Sequence, residues 1–222
     1  IVVGGKVFIT ASSGNLQDRL HVFCFSSKDG STLWERQFWS TGRTMAHEKT
    51  NIAAPTPVSD GKNIYALYSC NDLVCLDLEG NLKWLRGLTR DYPNASNSLG
   101  MSSSLQVSGN TLVVQIENDS QPLALGVDTT TGQNRWKLIR PKAANWTTAN
   151  LLPGAGKGGK TLVALQSKTG IDALDPATGK TEWAYEGGAS TIPSSTRQGS
   201  LLLVPSNGLT AIKPRHDGST FT

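Results

Sequence analysis

The sequence predicts an all-β fold built from repeated four-stranded antiparallel sheets. One motif, in which a glycine is followed four residues later by tryptophan, occurs four times and begins a fifth time. Between the copies lie short runs of β-branched and aromatic residues bounded by Gly, Asn, Asp and Pro, which are typical of short strands. No window has convincing helical periodicity. A unit that recurs at about 50 residues indicates a protein that stacks one supersecondary unit after another.

The motif is most regular in residues 173–183 and 126–136, where an aspartate opens a polar turn before the glycine. Looser copies occupy residues 75–84, which is one residue shorter, and 24–34, which has Ser26 in place of the aspartate. The fifth copy, residues 211–222, stops where its tryptophan would fall. The glycines and tryptophans that we assign to the structural motif are Gly30, Trp34, Gly80, Trp84, Gly132, Trp136, Gly179 and Trp183.

Each motif position has a structural explanation. The aspartates, such as Asp175, can accept hydrogen bonds from the amides of the turn that follows. The glycines, such as Gly179, supply the positive φ that this turn needs. The tryptophans, such as Trp183, begin or lie on the outer strand, where a large ring can cover the seam between adjacent sheets. Their recurrence therefore favours an architectural role over a catalytic one.

Each repeat forms one four-stranded unit, which we call a blade. The strands follow the same order in every blade. A glycine turn feeds a short apolar run, as in residues 109–114 and 159–165, and the motif follows with its tryptophan on the outer strand. We expect a single segment, residues 1–222, with about four to five blades. Their approximate bounds are 1–38, 53–88, 102–140, 148–187 and 191–222. The first lacks most of its opening strand and the last lacks its outer strand.

On these motifs the chain resembles the quinoprotein-type β-propellers, the family named for enzymes that use pyrroloquinoline quinone (PQQ). The resemblance covers essentially all 222 residues. The family includes quinone-dependent alcohol and sugar dehydrogenases, a lipoprotein of the outer-membrane protein assembly machinery, and sensor regions of bacterial kinases. Its members usually close with more blades than are present here, so the resemblance implies a portion of a larger propeller. A five-bladed ring closed by strands shared between its ends stays open as an alternative.

Charge and hydropathy argue against a nucleic-acid partner and a membrane-spanning segment. The net charge is +4, but the basic residues are scattered and no aromatic platform with interleaved Arg is visible, so we expect no nucleic-acid partner. No apolar run is long enough to span a bilayer. The resemblance implies an exported protein of the periplasm or cell envelope.

If the chain were part of a dehydrogenase, it could carry the residues that bind the cofactor and catalyse the reaction in that family. Those enzymes typically carry PQQ with calcium, adjacent cysteines and an aspartate base. Here the three cysteines are not adjacent, and the repeated aspartates Asp77, Asp128 and Asp175 match the structural turn position. We therefore expect no cofactor, no metal site and no catalytic residue, with PQQ and calcium as the alternative.

The cysteines have a structural interpretation. Cys24 and Cys75 occupy the motif position that Gly126 and Ala173 fill in the other copies, which predicts a small buried slot. Cys70 has no such slot. It could form a disulfide with Cys75 across a hairpin, but the predicted register does not place the two residues opposite each other, so the disulfide stays an open alternative.

The connections from each tryptophan to the next blade vary most between repeats, and recognition is commonly built on such loops. If they meet on one face, they form a basic rim with aromatic residues. The residues that we expect to bind a partner there are Trp39, Arg43, His47, Arg90, Tyr92, Asn145 and Trp146.

The predicted function is a non-catalytic scaffold for protein–protein interaction in the bacterial cell envelope, with a protein partner or self-association. One alternative is a portion of a quinone-dependent alcohol or sugar dehydrogenase. A second is an extracytoplasmic sensor or ligand-binding domain.

Overall fold

The computed structural model describes residues 1–95 and 99–214, which form five antiparallel sheets along the chain. The first sheet contains β1 (Val2–Val3), β2 (Lys6–Ser13), β3 (Arg19–Ser26) and β4 (Thr32–Trp39). The second contains β5 (Val58–Ser59), β6 (Asn63–Leu67), β7 (Asp72–Asp77) and β8 (Leu82–Gly87). The third contains β9 (Gln106–Ser108), β10 (Thr111–Ile116), β11 (Leu123–Asp128) and β12 (Asn134–Ile139).

The fourth sheet contains β13 (Asn150–Leu152), β14 (Leu162–Ser167), β15 (Gly170–Leu174) and β16 (Thr181–Tyr185). The fifth contains, within the described residues, β17 (Thr196–Gln198), β18 (Leu201–Ser206) and β19 (Gly208–Ile212). In every sheet the strands pair in chain order, so each blade is a simple meander. The short first strands of neighbouring sheets lie beside one another, β5 by β9, β9 by β13 and β13 by β17, and they mark the inner side of the arc.

The five sheets form an open arc. Within the part of the chain that the structure describes, no hydrogen bond joins the first sheet to the fifth. The predicted all-β fold, a partial propeller of four to five antiparallel blades, is confirmed. Across residues 1–95 and 99–214 the strands form five separate sheets, with no strand shared between the first sheet and the fifth.

Apolar side chains fill the seams between the sheets. One cluster joins the second and third sheets through Leu73 and Val127, and another joins the third and fourth through Val113 and Leu174. Alternation along each strand places one set of side chains in the seam before the sheet and the other set in the seam after it. The core of the molecule is therefore a series of similar layers.

Each motif tryptophan lies opposite a small residue of its own sheet. Trp34 pairs with Cys24, Trp84 with Cys75, Trp136 with Gly126, and Trp183 with Ala173. In all four sheets the register shifts immediately after the small residue, which is a β-bulge. The predicted small slot is thus the space over which the indole lies.

The motif tryptophans also reach the next blade, as the motif predicted. The Nε1 atom of Trp84 donates a 3.0 Å hydrogen bond to the carbonyl oxygen of Thr129, and Trp136 donates a 2.8 Å bond to Pro176. Both acceptors lie in the motif turn of the following sheet. The turn carboxylates act as expected, because Asp128 Oδ1 accepts from the amides of Thr130 and Thr131 at 3.0 Å.

Two details differ from the sequence-based expectation. The connection after β8 contains a short helix, α1 (Leu88–Asp91), and a 3₁₀ turn occupies Lys157–Gly159. Trp39 is the last residue of β4 and does not lie in a loop. Neither helix is long enough to cross a membrane, and among the described residues no other helix is a candidate.

Candidate binding site on the loop face

Four successive connections between blades line one cavity of about 300 Å³. Its walls come from the connections after β4, β8, β12 and β16, together with the turn between β6 and β7. The lining residues are His47, Thr50, Ala54, Ser69, Leu99, Gly100, Met101, Ser102, Trp146 and Ile192. The loops that vary between repeats therefore meet at a common site.

Hydrogen bonds fix these connections to one another. The indole Nε1 of Trp146 donates to the carbonyl oxygen of Gly100 at 2.9 Å, and the backbone amide of Trp146 donates to Thr191 at 2.9 Å. The amide of His47 donates to the carbonyl oxygen of Leu99 at 3.1 Å. The backbone of Gly100 has φ of +79°, and an added β-carbon would stand 2.7 Å from the carbonyl oxygen of Met45. Glycine is needed there because the two loops approach so closely.

The cavity has a buried floor and an apolar mouth. Met101 is buried, and its carbonyl oxygen accepts a short hydrogen bond from the Ser69 hydroxyl. At the mouth, Leu99 is 45% exposed and Ile192 is 71% exposed. Among the lining residues only His47 is ionisable. Such a site suits an apolar group of a ligand better than acid–base or nucleophilic chemistry.

The structure brings together two of the seven predicted partner-binding residues, His47 and Trp146, which both line the cavity. Arg43 and Arg90 are exposed on the connections after β4 and β8. Trp39 was expected in the connection after β4, but it is the last residue of strand β4 itself. The centroid of its ring lies 5.5 Å from the guanidinium carbon of Arg19.

Tyr92 lies at an outer seam and not in the cavity lining. Its hydroxyl accepts a 2.6 Å hydrogen bond from Asn134 Nδ2, and the ammonium of Lys137 lies 5.5 Å from the ring centroid. Both neighbours belong to β12, the outer strand of the third sheet. Tyr92 thus fastens the helix α1 region to the next blade.

Asn145 does not fit its predicted role, because its side chain is fully buried. Its Nδ2 donates to Glu117 Oε2 at 2.8 Å and to the carbonyl oxygen of Gln166 at 2.7 Å. Its Oδ1 accepts from the amide and hydroxyl of Thr147 at 3.1 and 2.8 Å. These bonds hold the connection after β12 against the fourth sheet, and they leave Asn145 inaccessible to a partner.

A buried ion-pair network surrounds Asn145, and sequence reasoning missed it. Arg140 donates from Nε to Glu117 Oε1 at 2.6 Å and makes a short contact from Nη1 to Asp172. Burial raises the pKa of Glu117, and the neighbouring guanidinium of Arg140 offsets only part of this effect. The network joins the third and fourth sheets beside the connection that carries Trp146 into the cavity lining. No spacing in the sequence marks it, because Glu117, Arg140 and Asp172 lie far apart in the chain and the third of them belongs to the next blade.

A second unpredicted arrangement lies on the first sheet. The Oγ atom of Ser13 is 2.7 Å from Nε2 of His21, and Nδ1 of His21 is 2.6 Å from Oε1 of Glu35. The imidazole ring stacks on Phe23 with a centroid distance of 5.6 Å, and His21 is mostly buried. This relay ties β2, β3 and β4 together, and only the strand register brings its three members into contact.

The cysteines and acidic residues form no further site in the described part of the chain. Cys24, Cys70 and Cys75 are free and buried, so a disulfide between Cys70 and Cys75 is not present. No group of three or more His, Cys, Asp or Glu residues within residues 1–95 and 99–214 could hold a metal ion.

The tryptophan-docked blades define the class of protein: part of a PQQ-type β-propeller. The chain belongs to the family described as outer membrane protein assembly factor BamB, whose sequence model matches residues 1–97 and 22–204 in two overlapping alignments. The resemblance inferred from the repeated motif is confirmed. No curated protein matches the chain in sequence.

Several solved structures have the same fold. A europium-containing methanol dehydrogenase superposes with a TM-score of 0.69 at 12% identity, over 97% of this chain and 48% of that protein. A quinohemoprotein alcohol dehydrogenase from Comamonas testosteroni gives 0.66 at 15% identity, over 96% and 40%. Quinohemoprotein alcohol dehydrogenase ADHIIG from Pseudomonas putida HK5 gives 0.69 at 14% identity, over 100% and 40%. The chain therefore spans less than half the length of these enzymes, and the likeness concerns the fold.

Proposed function

We propose that this chain is a non-catalytic scaffold that holds an apolar segment of a partner protein in the loop-face cavity. The apolar mouth formed by Leu99 and Ile192 carries the proposal, since large exposed apolar side chains around a concave site are typical of protein-binding surfaces. The loops around it are fixed by backbone hydrogen bonds, so the site is preorganised for binding.

Charge near the cavity limits the kind of partner segment. His47 lies on the same connection as the exposed cations Arg43 and Lys49 and the exposed carboxylate Glu48, so cations exceed carboxylates there by one. The whole chain carries a net charge of +4. A segment with one or two large apolar side chains flanked by acidic residues fits both the cavity and this charge.

The family description supports a location in the cell envelope, because that family is described as an outer membrane protein assembly factor. A propeller of this family in the periplasm would meet unfolded or assembling outer-membrane proteins and the other components that handle them. The partner we propose is a protein of that compartment.

A photo-crosslinking amino acid placed at position 192 tests the proposal. We expect a discrete protein adduct from position 192, because Ile192 is 71% exposed at the cavity mouth. Position 139 is the matched control, since Ile139 is 75% exposed but lies on the outer strand β12. The variant Ile192→Glu should then weaken retention of the crosslinked protein, while Ile139→Glu should not.

Equal adducts at positions 192 and 139, or none at either, would refute the scaffold proposal. Trp146→Ala is less informative than Ile192→Glu. The indole of Trp146 holds the loop of Gly100, so its removal would disturb the fold of the site as well as its surface.

A portion of a quinone-dependent dehydrogenase is the second candidate, and the likeness to the dehydrogenase structures favours it. PQQ with calcium needs cationic groups and oxygen ligands such as carboxylates. The cavity lining contains no Asp, Glu, Lys or Arg, so the residues present there do not fit this cofactor.

Native mass spectrometry with and without PQQ and calcium, together with a dye-linked alcohol oxidation assay, distinguishes the two candidates. Uptake of one quinone with turnover would replace the scaffold proposal by the enzyme. Absence of uptake and turnover would support the scaffold.

A further inference from the structure

We propose that Ser13, His21 and Glu35 form a serine-type acyl-transfer site, at which Ser13 takes the acyl group of a short carboxylic ester and passes it to water. Strand register places the three side chains on one face of the first sheet, on β2, β3 and β4. None of them lines the loop-face cavity. The inference therefore goes beyond the proposed function, and crosslinking at position 192 does not test it.

The hydrogen bonds order the relay as nucleophile, base and carboxylate. Nδ1 of His21 lies 2.6 Å from Oε1 of Glu35, and an ionised carboxylate can only accept, so Nδ1 carries the proton. Nε2 of the neutral ring is then an acceptor, and it lies 2.7 Å from Oγ of Ser13. The Ser13 hydroxyl therefore donates to a base whose tautomer is fixed by a carboxylate, which is the arrangement that activates a serine nucleophile.

The imidazole of His21 is held in a fixed orientation. His21 is 8% exposed, and its ring lies almost parallel to that of Phe23, with 5.6 Å between the ring centroids. The side chain of Glu35 is 43% exposed, so water helps to keep its carboxylate charged. A base that is already oriented towards the hydroxyl needs no rearrangement before proton transfer.

The turn that follows Ser13 is fixed to a neighbouring connection. The amide of Gln17 donates to the carbonyl oxygen of Gly14 at 3.0 Å, which closes the turn. The side-chain oxygen of Gln17 accepts a 3.0 Å hydrogen bond from the amide of Ile52, on the connection after β4. Ser13 therefore stands between a strand and a turn that are both held in place, as a nucleophile requires.

The amide of Gly14 is the group that stabilises the negative charge developing on the ester oxygen. In one large class of serine hydrolases the amide of the residue after the nucleophile donates to this oxygen. Gly14 is exposed, and within residues 1–95 and 99–214 its amide donates to no acceptor of the protein. Nε of Arg19 and Oδ1 of Asp18 both lie within 4 Å of the position that a β-carbon on Gly14 would occupy. Because these two charges are opposite, the amide is the donor expected to act.

Ser13 stays accessible because the hairpin of β2 and β3 is longer than the equivalent hairpins of the other blades. The pair Ala11 with His21 has its counterparts in Ile116 with Leu123, Ser167 with Gly170, and Ser206 with Gly208. In the described part of the chain, the hairpin pairing of the other four sheets stops at or before this level. The first sheet continues with Ser12 opposite Leu20 and Ser13 opposite Arg19.

The two additional pairs carry Ser13 about 7 Å beyond the level at which the other hairpins turn, at a rise of about 3.4 Å per residue. A blade of ordinary length packed on this face would end beside His21 and leave Ser13 open to solvent. Ala11 is the preceding residue on the same strand face, and its side chain is a single methyl group. A shallow site of this kind suits a short acyl group.

The reaction needs only an ester and water. A bond forms between Oγ of Ser13 and the ester carbonyl carbon while Nε2 of His21 takes the hydroxyl proton. The bond from this carbon to the leaving alcohol then breaks, and Nε2 gives the proton to the alcohol oxygen. Water attacks the acyl group in the same way, and its proton passes through Nε2 back to Ser13 as the carboxylic acid leaves.

A fluorophosphonate probe tests the nucleophile in the whole chain. Oγ of Ser13 forms a bond to phosphorus, the phosphorus–fluorine bond breaks, and fluoride leaves while the proton passes to His21. Peptide mass spectrometry then identifies the labelled residues. We expect the label on Ser13, together with turnover of 4-nitrophenyl acetate, and Ser13→Ala should lose both.

Ser206 is the matched control for Ser13. It also ends a hairpin strand and is partly exposed, but its hydroxyl bonds to Thr210 at 2.6 Å and not to a base. Ser206→Ala should leave the labelling of Ser13 and the turnover of the ester unchanged.

Substitution of the base and of the carboxylate tests the relay. His21→Gln should slow labelling of Ser13 by about 10²–10⁴-fold, the usual effect of removing a general base. Glu35→Gln should slow it as well, because the amide no longer fixes the proton on Nδ1. Glu35 is a positioning residue, so the ¹⁵N NMR spectrum of the His21 ring is its second readout. The tautomer protonated on Nδ1 should dominate in the wild type and lose population in Glu35→Gln.

Three results would each overturn the proposal: no label on Ser13, a label that forms equally fast on Ser206, or a labelling rate that Glu35→Gln leaves unchanged. Labelling of Ser13 without turnover of the ester would also overturn it, because the acyl group would not pass to water. His21 is buried, so His21→Gln can unfold the first sheet. Glu35→Gln replaces a partly exposed side chain by one of the same size, and it keeps the proposal open to refutation.

Discussion

The indole of Trp136 lies so close over Gly179 that a β-carbon on Gly179 would stand 2.6 Å from the ring. The same indole donates from Nε1 to the carbonyl oxygen of Pro176 at 2.8 Å. The side chain of Trp136, on the third sheet, thus makes both a packing contact and a hydrogen bond with the turn of the fourth sheet. Removing the tryptophan or adding a methyl group to the glycine should therefore destabilise the contact between the two blades.

Gly179→Ala should destabilise the protein more than Gly158→Ala. Both residues have φ of +71°, so alanine costs roughly 1–2 kcal/mol of backbone energy at either position. At Gly179 the new methyl group also meets the indole of Trp136, and such overpacking adds about 1–3 kcal/mol. Urea denaturation of the two variants measures the difference. Equal losses of stability would mean that the indole moves aside freely.

Arg140→Ala should lower the free energy of unfolding by about 3–5 kcal/mol, because it leaves the buried carboxylate of Glu117 without its cation. Arg135→Ala is the control, since its ion pair with Asp128 is partly exposed at the surface and is worth about 0–1 kcal/mol. Denaturant titration compares the two variants. A small effect of Arg140→Ala would show that water reaches Glu117.

Asp77→Asn should change the acid stability of the second blade. Desolvation acts to raise the pKa of Asp77, but hydrogen bonds from Asn81 and the ion pair with Lys83 outweigh it and lower the pKa to about 2. A lowered pKa stabilises the fold above the ordinary value of about 4, and this stabilisation is lost as the pH falls towards 2.

The thermal midpoints of the wild type and Asp77→Asn should therefore differ at pH 6 and converge near pH 2. A difference that stayed constant across this range would assign the effect to hydrogen-bond geometry alone.

The three cysteines should be unreactive towards a disulfide reagent at pH 8 in the native protein. Burial raises the pKa of Cys70 and of Cys75 to about 12, and the thiolate is the form that reacts. Denaturant should release three reactive thiols. Rapid reaction of one thiol in the native state would identify local opening of its sheet.

The seams were predictable from the sequence because their chemistry is local and repeated. The motif aspartate, glycine and tryptophan lie within one turn and the strand after it, so their spacing survives as a pattern in the chain. The small residues Cys24 and Cys75 were assigned correctly for the same reason, since each faces the tryptophan of its own hairpin.

The candidate site was predicted only in part. His47 and Trp146 line the cavity. Asn145 instead hydrogen-bonds to Glu117 within the buried network, and Tyr92 hydrogen-bonds to Asn134 of the next blade. Loop composition cannot reveal these outcomes. They depend on which blade a loop side chain meets, and that follows from the register of strands far apart in sequence.

The pairing of Trp136 with Gly179 also gives the arc a direction. In the three seams where both partners are described, a tryptophan on one blade lies against Gly80, Gly132 or Gly179 of the next, so the two sides of a blade are complementary to each other. Duplication of one repeat within a gene would insert a unit that already fits both of its new neighbours. The chain could lengthen or shorten by whole repeats without inventing a new kind of contact, and only the curvature of the assembly would have to adjust.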